Sequence, residues 1–433
     1  MTYKIKRAIL TLEDLFKGDF IMKFAVIGLG GRGSTYAHFI KYYGSEIVAV
    51  CDPNEKKREL AREYGVSDDM FFTSEDEFFA KGKLADALVI ATMDSLHHRQ
   101  AIKALELGYH ILLEKPIAMT LEECREIRDL AVKRDRRVVV CHVLRYSPMY
   151  MKLKDLLDEG AIGDVISVDM TENIGFYHYA HSYCRGNWRN TDISTPLIVA
   201  KNCHDTDMLC WLLNKNWISV SSIGGLKFFK KENAPEGSAE RCSDCQFKDT
   251  CIYSAFRIYN DEAFEKVAGL AKHGCLGKTH EEINESLINP ENLYGRCVFH
   301  CDNNVADYQI MNALFEDGIT VQFKTIAHTN SLAREIKFFG TKGMLYATPG
   351  EKSVTLELLY DKPLKIPYDE PIGGYAHHAG GDVAIVKQFI EYIETGVRAK
   401  NVTDITDSLT GHSLAFLAEE SRLANGKVFY NEK

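Results

Sequence analysis

No stretch of this 433-residue sequence approaches the about 20 uninterrupted apolar residues that a membrane-spanning helix needs. A basic surplus is missing too. The 52 lysines and arginines stand against 61 aspartates and glutamates, a net charge of −9, which argues against a protein that grips nucleic acid through a cationic surface. Cysteine, at 12, is too sparse for a disulfide scaffold of this length, and most of it is scattered through apolar segments (Cys51, Cys141, Cys203, Cys210). Such free thiols behave as small buried hydrophobes and fit a reducing compartment, so a cytoplasmic location is expected. Internal repeats and low-complexity tracts are absent. The first 21 residues lack the apolar core and small-residue cleavage site of a secretory signal and carry Glu13, Asp14 and Lys17. Two readings of them stand side by side. Met22 is the natural start, with Lys17-Gly18-Asp19 encodable as a purine-rich AAAGGAGAT resembling a ribosome-binding site, or the segment is a short helix packed on the first domain.

What is present is a globular composition, 45% apolar and 26% charged, at a length suited to two domains. From Met22 onward, apolar runs (Lys23–Leu29, Glu46–Cys51, Ala85–Ala91, His110–Leu113, Arg137–Cys141) alternate with amphipathic stretches (Glu55–Tyr64, His98–Leu107, Leu121–Lys133). Runs of Val, Ile and Leu without polar alternation predict parallel strands covered on both faces, and so an α/β domain over residues 22–146. The texture then changes. A helix over Met149–Glu159 leads into runs at Ile166–Glu172, Ile218–Lys227, Asp307–Phe315, Thr320–Ala327, Ile336–Phe339 and Val354–Leu359, read as following one another without intervening helices. These predict a largely antiparallel open sheet in a second, α+β domain over 147–433. Two helices, near Asp382–Thr395 and Ile405–Leu423, close the chain and are expected to pack back on the first domain. A polar, cysteine-bearing stretch at about 230–304 reads as an insertion.

Val26-Ile27-Gly28-Leu29-Gly30-Gly31-Arg32-Gly33 sets a G-x-G-x-x-G directly after a strand and at the start of a helix. Gly28 permits the tight turn, Gly30 the approach of a pyrophosphate and Gly33 close strand–helix contact, so a Rossmann dinucleotide site is predicted. Asp52, at the end of the second strand, is placed to hydrogen-bond the adenosine ribose. Its carboxylate would repel a 2′-phosphate, which favours NAD over NADP. The alternative is a flavodoxin-like sheet with an ordinary glycine turn.

Further motifs follow in order: Thr92 to His97 with Ala101, Glu114-Lys115-Pro116, Arg145 with Pro148, Gly160–Gly163, Asn187-Trp188-Arg189, His204 to Asp207, and Gly340-Thr341-Lys342-Gly343. Their order and spacing resemble the Gfo/Idh/MocA family, named for glucose–fructose oxidoreductase and inositol dehydrogenase, from Met22 to the C-terminus apart from the insertion. The resemblance implies hydride transfer between NAD and a secondary alcohol of a sugar, glycoside or polyol. It also implies a homodimer or homotetramer built on the open sheet. Thr92, His97, Glu114, Lys115, Arg145, Trp188 and Arg189 become candidate cofactor contacts beside the loop residues Gly28, Leu29, Gly30, Gly31, Arg32, Gly33 and Asp52.

Read from the residues, Lys115 ends a parallel strand, where open α/β sheets place their ligand crevice, and can meet a substrate hydroxyl. His204 opens an apolar helix and suits proton abstraction near neutral pH, with Asp207 one turn on to orient it or to bind a hydroxyl. Many family members carry D-x-G-x-H; here those positions hold Ala200 and Asn202, while Lys201 lies three before His204. Lys201 is therefore a candidate to share the proton chemistry, two nearby lysines depressing one ammonium toward a base. Tyr177, His178, His181 and Tyr183 form either a sugar-stacking cluster or a wet domain seam. His377-His378 resembles the family loop that approaches the active site, so His378 is a candidate substrate contact. Two rival functions remain: a glycosidase that uses NAD in a redox cycle, and a non-catalytic NAD- or sugar-binding protein.

Cys242-x2-Cys245-x5-Cys251 stands apart, with Cys275, Cys297 and Cys301 later in the insertion. With a fourth ligand from the later three, these spacings fit a structural zinc site that would fold a segment poor in apolar residues. An Fe–S cluster could use similar ligands. Reduced thiols or an adventitious disulfide in a surface loop are the alternative.

Overall fold

The computed structural model describes residues 21–274, 276–348, 350–369 and 380–431. Val- and Ile-rich runs form six parallel strands: β1 (Lys23–Ile27), β2 (Glu46–Cys51), β3 (Phe71–Phe72), β4 (Ala87–Ile90), β5 (His110–Leu113) and β6 (Val138–Val140). They lie in the order β3-β2-β1-β4-β5-β6. Helices α1 (Gly31–Tyr42), α2 (Asp94–Glu106) and α3 (Leu121–Lys133) connect them, and α3 starts in a capping box between Thr120 and Glu123. The order reverses between β1 and β4, so the ligand crevice opens at the carboxyl ends of those two strands. β3 was not anticipated, because two residues carry no period.

The second domain holds a nine-stranded sheet: β7 (Val165–Asn173), β8 (Trp217–Gly225), β9 (Tyr308–Phe315), β10 (Thr320–Ile326), β11 (Ala333–Gly340), β12 (Gly343–Ala347), β13 (Ser353–Leu358), β14 (Leu364–Pro367) and β15 (Phe429–Tyr430), in the order β14-β13-β12-β11-β7-β10-β9-β8-β15. Pairing is antiparallel except where β10 runs parallel to β7. Along β10 buried Val321, Phe323 and Thr325 alternate with exposed Thr320, Gln322 and Lys324, so one face is packed and the other open. The packed face meets α4 (Pro148–Asp158), α5 (Cys203–Leu213) and α7 (Ile405–Leu423) around Leu153, Leu209, Trp211, Phe323, Phe338 and Leu414.

Helix α6 (Gly381–Thr395) packs on the first domain. Val383, Ile385 and Phe389 share a core with Phe24, Val26 and Tyr36. Helix α7 joins the domains: Ile405 and Leu409 pack in the first, Leu414, Ala415 and Ala418 in the second. The insertion forms short helices around its own aromatic cluster, seated on a helical turn at Phe176–Tyr179 that widens into a π-turn at Ala180–Arg185. Fully buried Arg185 fastens it by donating to the carbonyls of Tyr253 and Arg296, each at 2.7 Å. Among the described residues no helix is long and apolar enough to cross a membrane.

Where α7 crosses α5, a Cβ on Gly411 would lie 2.7 Å from Asp207 Cα and 2.8 Å from its nitrogen. Backbone cannot retreat as a side chain can, so Gly411→Ala is expected to cost about 1–3 kcal/mol of stability. A lowered urea midpoint and melting temperature would show it; an unchanged melting curve would mean that the two helices are not held at this separation.

Candidate active site

The site begins where β1 turns into α1. Gly28 has φ +86°, and a Cβ there would lie 2.5 Å from the Ala91 carbonyl oxygen; a Cβ on Gly33 would lie 1.8 Å from the Gly28 oxygen. No other residue can make this turn. At Gly30, by contrast, a Cβ would meet nothing within 4 Å. The buried Asp52 carboxylate accepts from the backbone N–H of Leu29 at 2.7 Å and of Asn54 at 2.9 Å, which fixes it beside the loop. A tight glycine turn, open space at its crown, the N–H groups at the start of α1 and an acid at the end of β2 together fit a dinucleotide.

The crevice floor is built around Glu114. Its Oε1 accepts from Arg32 Nε and Tyr36 Oη, each at 2.6 Å, and its Oε2 from the Lys115 N–H at 3.0 Å. Burial disfavours its charge, yet Arg32 and Lys115 hold its pKa below the ordinary glutamate value. The Arg32 guanidinium also donates to Tyr36 Oη and to Asp382 Oδ1, the latter at 2.7 Å. It is thus engaged by the glutamate and by α6, and only its backbone belongs to the glycine loop. His97 is buried, with Nδ1 2.8 Å from the Pro116 carbonyl oxygen and Nε2 3.3 Å from that of Thr92, while the Thr92 hydroxyl donates to Gln100 at 2.7 Å. These two brace the turns on either side of the crevice.

Lys115 reaches across to the second domain, where Nζ donates to the Ala200 carbonyl at 2.8 Å. The next residue, Lys201, pairs at 3.3 Å with Glu172 of β7, and Arg334 of β11 holds Glu172 at 3.0 Å and Asp205 at 2.6 Å. Glu172 and Arg334 face each other across the two strands. Burial lowers the Lys201 pKa; Glu172 opposes this, while Arg334 and Lys115 add to it. Burial raises the Glu172 pKa. A second bridge between the domains runs from Asp94, whose Oδ2 accepts from the Thr195 N–H and hydroxyl, each at 2.9 Å.

His204 lies beside His142, their Nδ1 atoms 3.5 Å apart, with His142 Nε2 3.8 Å from Asp207 Oδ1. His412 completes the cluster. Its Nδ1 is 2.9 Å from the Ser408 carbonyl oxygen and its Nε2 accepts from the Ile117 N–H at 3.1 Å, so Nδ1 carries the proton. Burial, Arg145 and Lys115 push His142 well below the usual imidazole range, and burial with His142 takes His412 down to about 3. Sequence reasoning missed Glu172, Arg334, His142 and His412. Only Arg334 opposite Glu172 follows from strand register, and the register was unknown.

Several expectations need correction. Asp207 is fully buried and accepts from Arg145 through both oxygens, at 2.7 and 2.5 Å, so its carboxylate serves that pair rather than an open face of the crevice. Arg145 is thereby engaged by a buried carboxylate. Tyr177 is 2% exposed and stacks on Phe264 of the insertion at 4.4 Å, so its ring is not offered to a sugar. His181 stacks on Tyr294 at 4.7 Å, and its Nδ1 lies 3.0 Å from the Tyr259 hydroxyl, so its ring is also taken up by the insertion. Arg189 pairs with Asp302 at 2.7 Å, and Trp188 packs against the insertion's core. His178 does sit toward the lysines: its Nδ1 is buried without a hydrogen-bond partner, and burial followed by the charge of Lys201 pushes its pKa well down. His378 lies outside the described residues.

Structural zinc is not supported. Cys242, Cys245 and Cys251 line one narrow cavity with Cys297, yet the described residues hold no group of three or more side chains able to bind a metal ion. The Cys242 thiol sits instead among the Arg185 guanidinium at 3.7 Å, the Ala255 N–H at 3.5 Å and the Arg296 carbonyl at 3.7 Å. Cys275 lies outside the described residues.

A glycine loop at the switch point of a parallel sheet, facing lysines from two domains, defines a nicotinamide-dependent oxidoreductase of two-domain α/β build. The chain belongs to the Gfo/Idh/MocA family. Residues 22–142 match its model described as an oxidoreductase family with an NAD-binding Rossmann fold, and 154–358 match its C-terminal alpha/beta domain. Oxidoreductase P35 of Formosa agariphila is 32% identical over 65% of this chain and 92% of its own length. An inositol 2-dehydrogenase of Klebsiella pneumoniae is 30% identical over 46% of this chain and 56% of its own length. The NAD⁺ complex of an inositol dehydrogenase homologue from Azotobacter vinelandii shares the fold, with TM-score 0.70 and 15% identity over 95% of this chain and 98% of that one.

The Arg145–Asp207 pair supports the whole histidine cluster. Arg145→Met would leave a buried carboxylate without its partner and is expected to cost about 3–5 kcal/mol, whereas adding Asp207→Leu should recover most of the loss. Urea unfolding of the single and double variants tests this; a double variant no more stable than the single would show that the charges are not coupled.

Proposed function

We propose that this enzyme moves a hydride reversibly between a secondary alcohol of a sugar, glycoside or polyol and NAD. The observation that carries the proposal is the convergence of Lys115, just past the carboxyl end of β5, with Lys201 of the second domain, through the Lys115–Ala200 hydrogen bond. Oxidising a carbinol requires the hydroxyl proton to leave as hydride departs from the same carbon, and NAD at the loop supplies the hydride acceptor. Lys201 is the group best suited to take the proton. Burial and two neighbouring cations depress its ammonium, and Glu172 holds its Nζ in place. Lys115, anchored on the Ala200 carbonyl, binds the hydroxyl. His204, oriented by His142, completes the contacts to the substrate. The fixed Asp52 carboxylate supports NAD over NADP.

The open face of the nine-stranded sheet carries exposed Ile166, Ile218, Ile223, Tyr308 and Leu314. We assign this apolar strip to a homodimer or homotetramer interface, and the cytoplasm as the compartment.

Purified protein incubated with NAD and a panel of sugars, polyols and chromogenic glycosides should accumulate NADH together with oxidised sugar. Release of aglycone without net NADH would replace this reading by the redox-cycling glycosidase. Silence in both channels, with NAD binding intact, would favour the binding protein.

Because the neutral amine is the active form, kcat/KM for alcohol oxidation should rise with pH through an apparent pKa below that of an ordinary lysine. Lys201→Gln should lower kcat by about 10²–10⁴-fold and abolish that limb. A variant that keeps the limb would move the base elsewhere.

A further inference from the structure

The insertion does more than decorate the second domain. Helix Glu262–Ala268 ends at Gly269 in the left-handed conformation, and the chain turns at once into Leu270–His273. Leu270 and Ala271 are buried in the insertion's core, and the Ala271 N–H donates to Glu265 at 2.7 Å. The turn is thereby fixed, and it leaves His273 exposed. Facing it is Gly31, also exposed, the first residue of α1: a Cβ there would lie 3.8 Å from His273 Nδ1 and 3.9 Å from Cε1. The insertion of one domain therefore stands directly over the dinucleotide loop of the other.

The same imidazole lies within electrostatic range of the substrate side of the crevice. Burial is the chief reason that His178 and His181 fall below the usual imidazole range, His181 to about 3, and the charge of His273 adds to the fall in both. A pyrophosphate seated on this loop meets backbone N–H groups, but no cation from the loop itself. Arg32, the loop's own guanidinium, is held by Glu114 and Asp382. A charge-assisted side-chain donor would strengthen the hold of these N–H groups on a diphosphate, and His273 stands at that place.

We propose that the cysteine-bearing insertion is a cover for the cofactor cleft and that His273 is its ligand to the dinucleotide pyrophosphate. The proposal rests on NAD binding alone and is independent of the alcohol oxidised. A hydrogen bond to a charged group is worth about 1.5–3 kcal/mol, which corresponds to about 10–100-fold in affinity.

Calorimetric titration of the full chain with NAD and with ADP-ribose, which keeps the pyrophosphate and lacks nicotinamide, provides the test. His273→Ala should weaken both ligands equally, by about 10-fold or more. His273→Glu should weaken them further, and His273→Gln, which keeps a donor, should recover part of the loss. Melting temperatures of the unliganded variants, measured alongside, separate a loss of binding from a loss of stability. NAD affinity unchanged in His273→Glu would overturn the proposal, as would a loss confined to NAD with ADP-ribose spared. A fall in unliganded stability that tracks the affinity loss would assign His273 to packing instead. If the wild-type chain bound neither ligand, the dinucleotide reading would fail, and this one with it.

Discussion

A carboxylate removed from water must keep its charge satisfied, and Glu114 does so from three directions at once. Arg32 comes from the glycine loop, Tyr36 from α1, and the Lys115 N–H from the residue that follows it. Arg32 in turn carries Asp382 at the head of α6. One buried charge thus fixes the dinucleotide turn, the lysine turn and the return of the C-terminal chain onto the first domain. The second domain repeats the device with Asp207 held by Arg145, and with Glu172 and Asp205 held by Arg334. Each lysine that faces the crevice stands next to one of these ion pairs, so its ammonium is positioned by charges that cannot move independently.

This arrangement sorts the titratable groups. Four imidazoles near the crevice, His142, His178, His181 and His412, are held below their ordinary range chiefly by burial. They are neutral at physiological pH and act as oriented dipoles rather than charges. Lys201 is lowered as well, but from a starting value high enough that the same penalty brings its proton toward the working range instead of out of it. The absence of an aspartate four residues before His204 has a physical counterpart here. A carboxylate at position 200, whose carbonyl accepts from Lys115, would favour the charged ammonium of the neighbouring lysines and raise their pKa, away from that of a base.

The parallel sheet was legible because its strands are buried on both faces and its glycine turn has strict steric demands, as Gly28 and Gly33 show. Lys115 was legible for the same reason: a fixed place at the end of a fixed strand. The open sheet was legible as alternation, although β12, β14 and β15 were missed and the parallel pairing of β10 with β7 could not be read from local pattern. Charge partners were the least legible. Arg145 and Asp207 are separated by 62 positions, Asp205 and Arg334 by 129, and nothing in either neighbourhood announces the other. Both Arg145 and Asp207 read as functional polar residues because only the fold reveals that each already satisfies the other.

The cysteines carry the same lesson in a different form. Their spacing suggested a metal because the insertion has few aliphatic residues of its own and needs some means of holding together. The means found is aromatic and cationic. Phe229 stacks on Tyr179, Phe264 on Tyr177 and Tyr294 on His181, while the Arg185 guanidinium ties two segments of the insertion through the Tyr253 and Arg296 carbonyls. Every one of those anchors lies on the segment 177–185, which also presents His178 to the crevice. The insertion therefore cannot settle without ordering that segment, and the segment cannot shift without moving the insertion. The insertion and that segment are thus packed as one unit, and His273 reaches Gly31 from it.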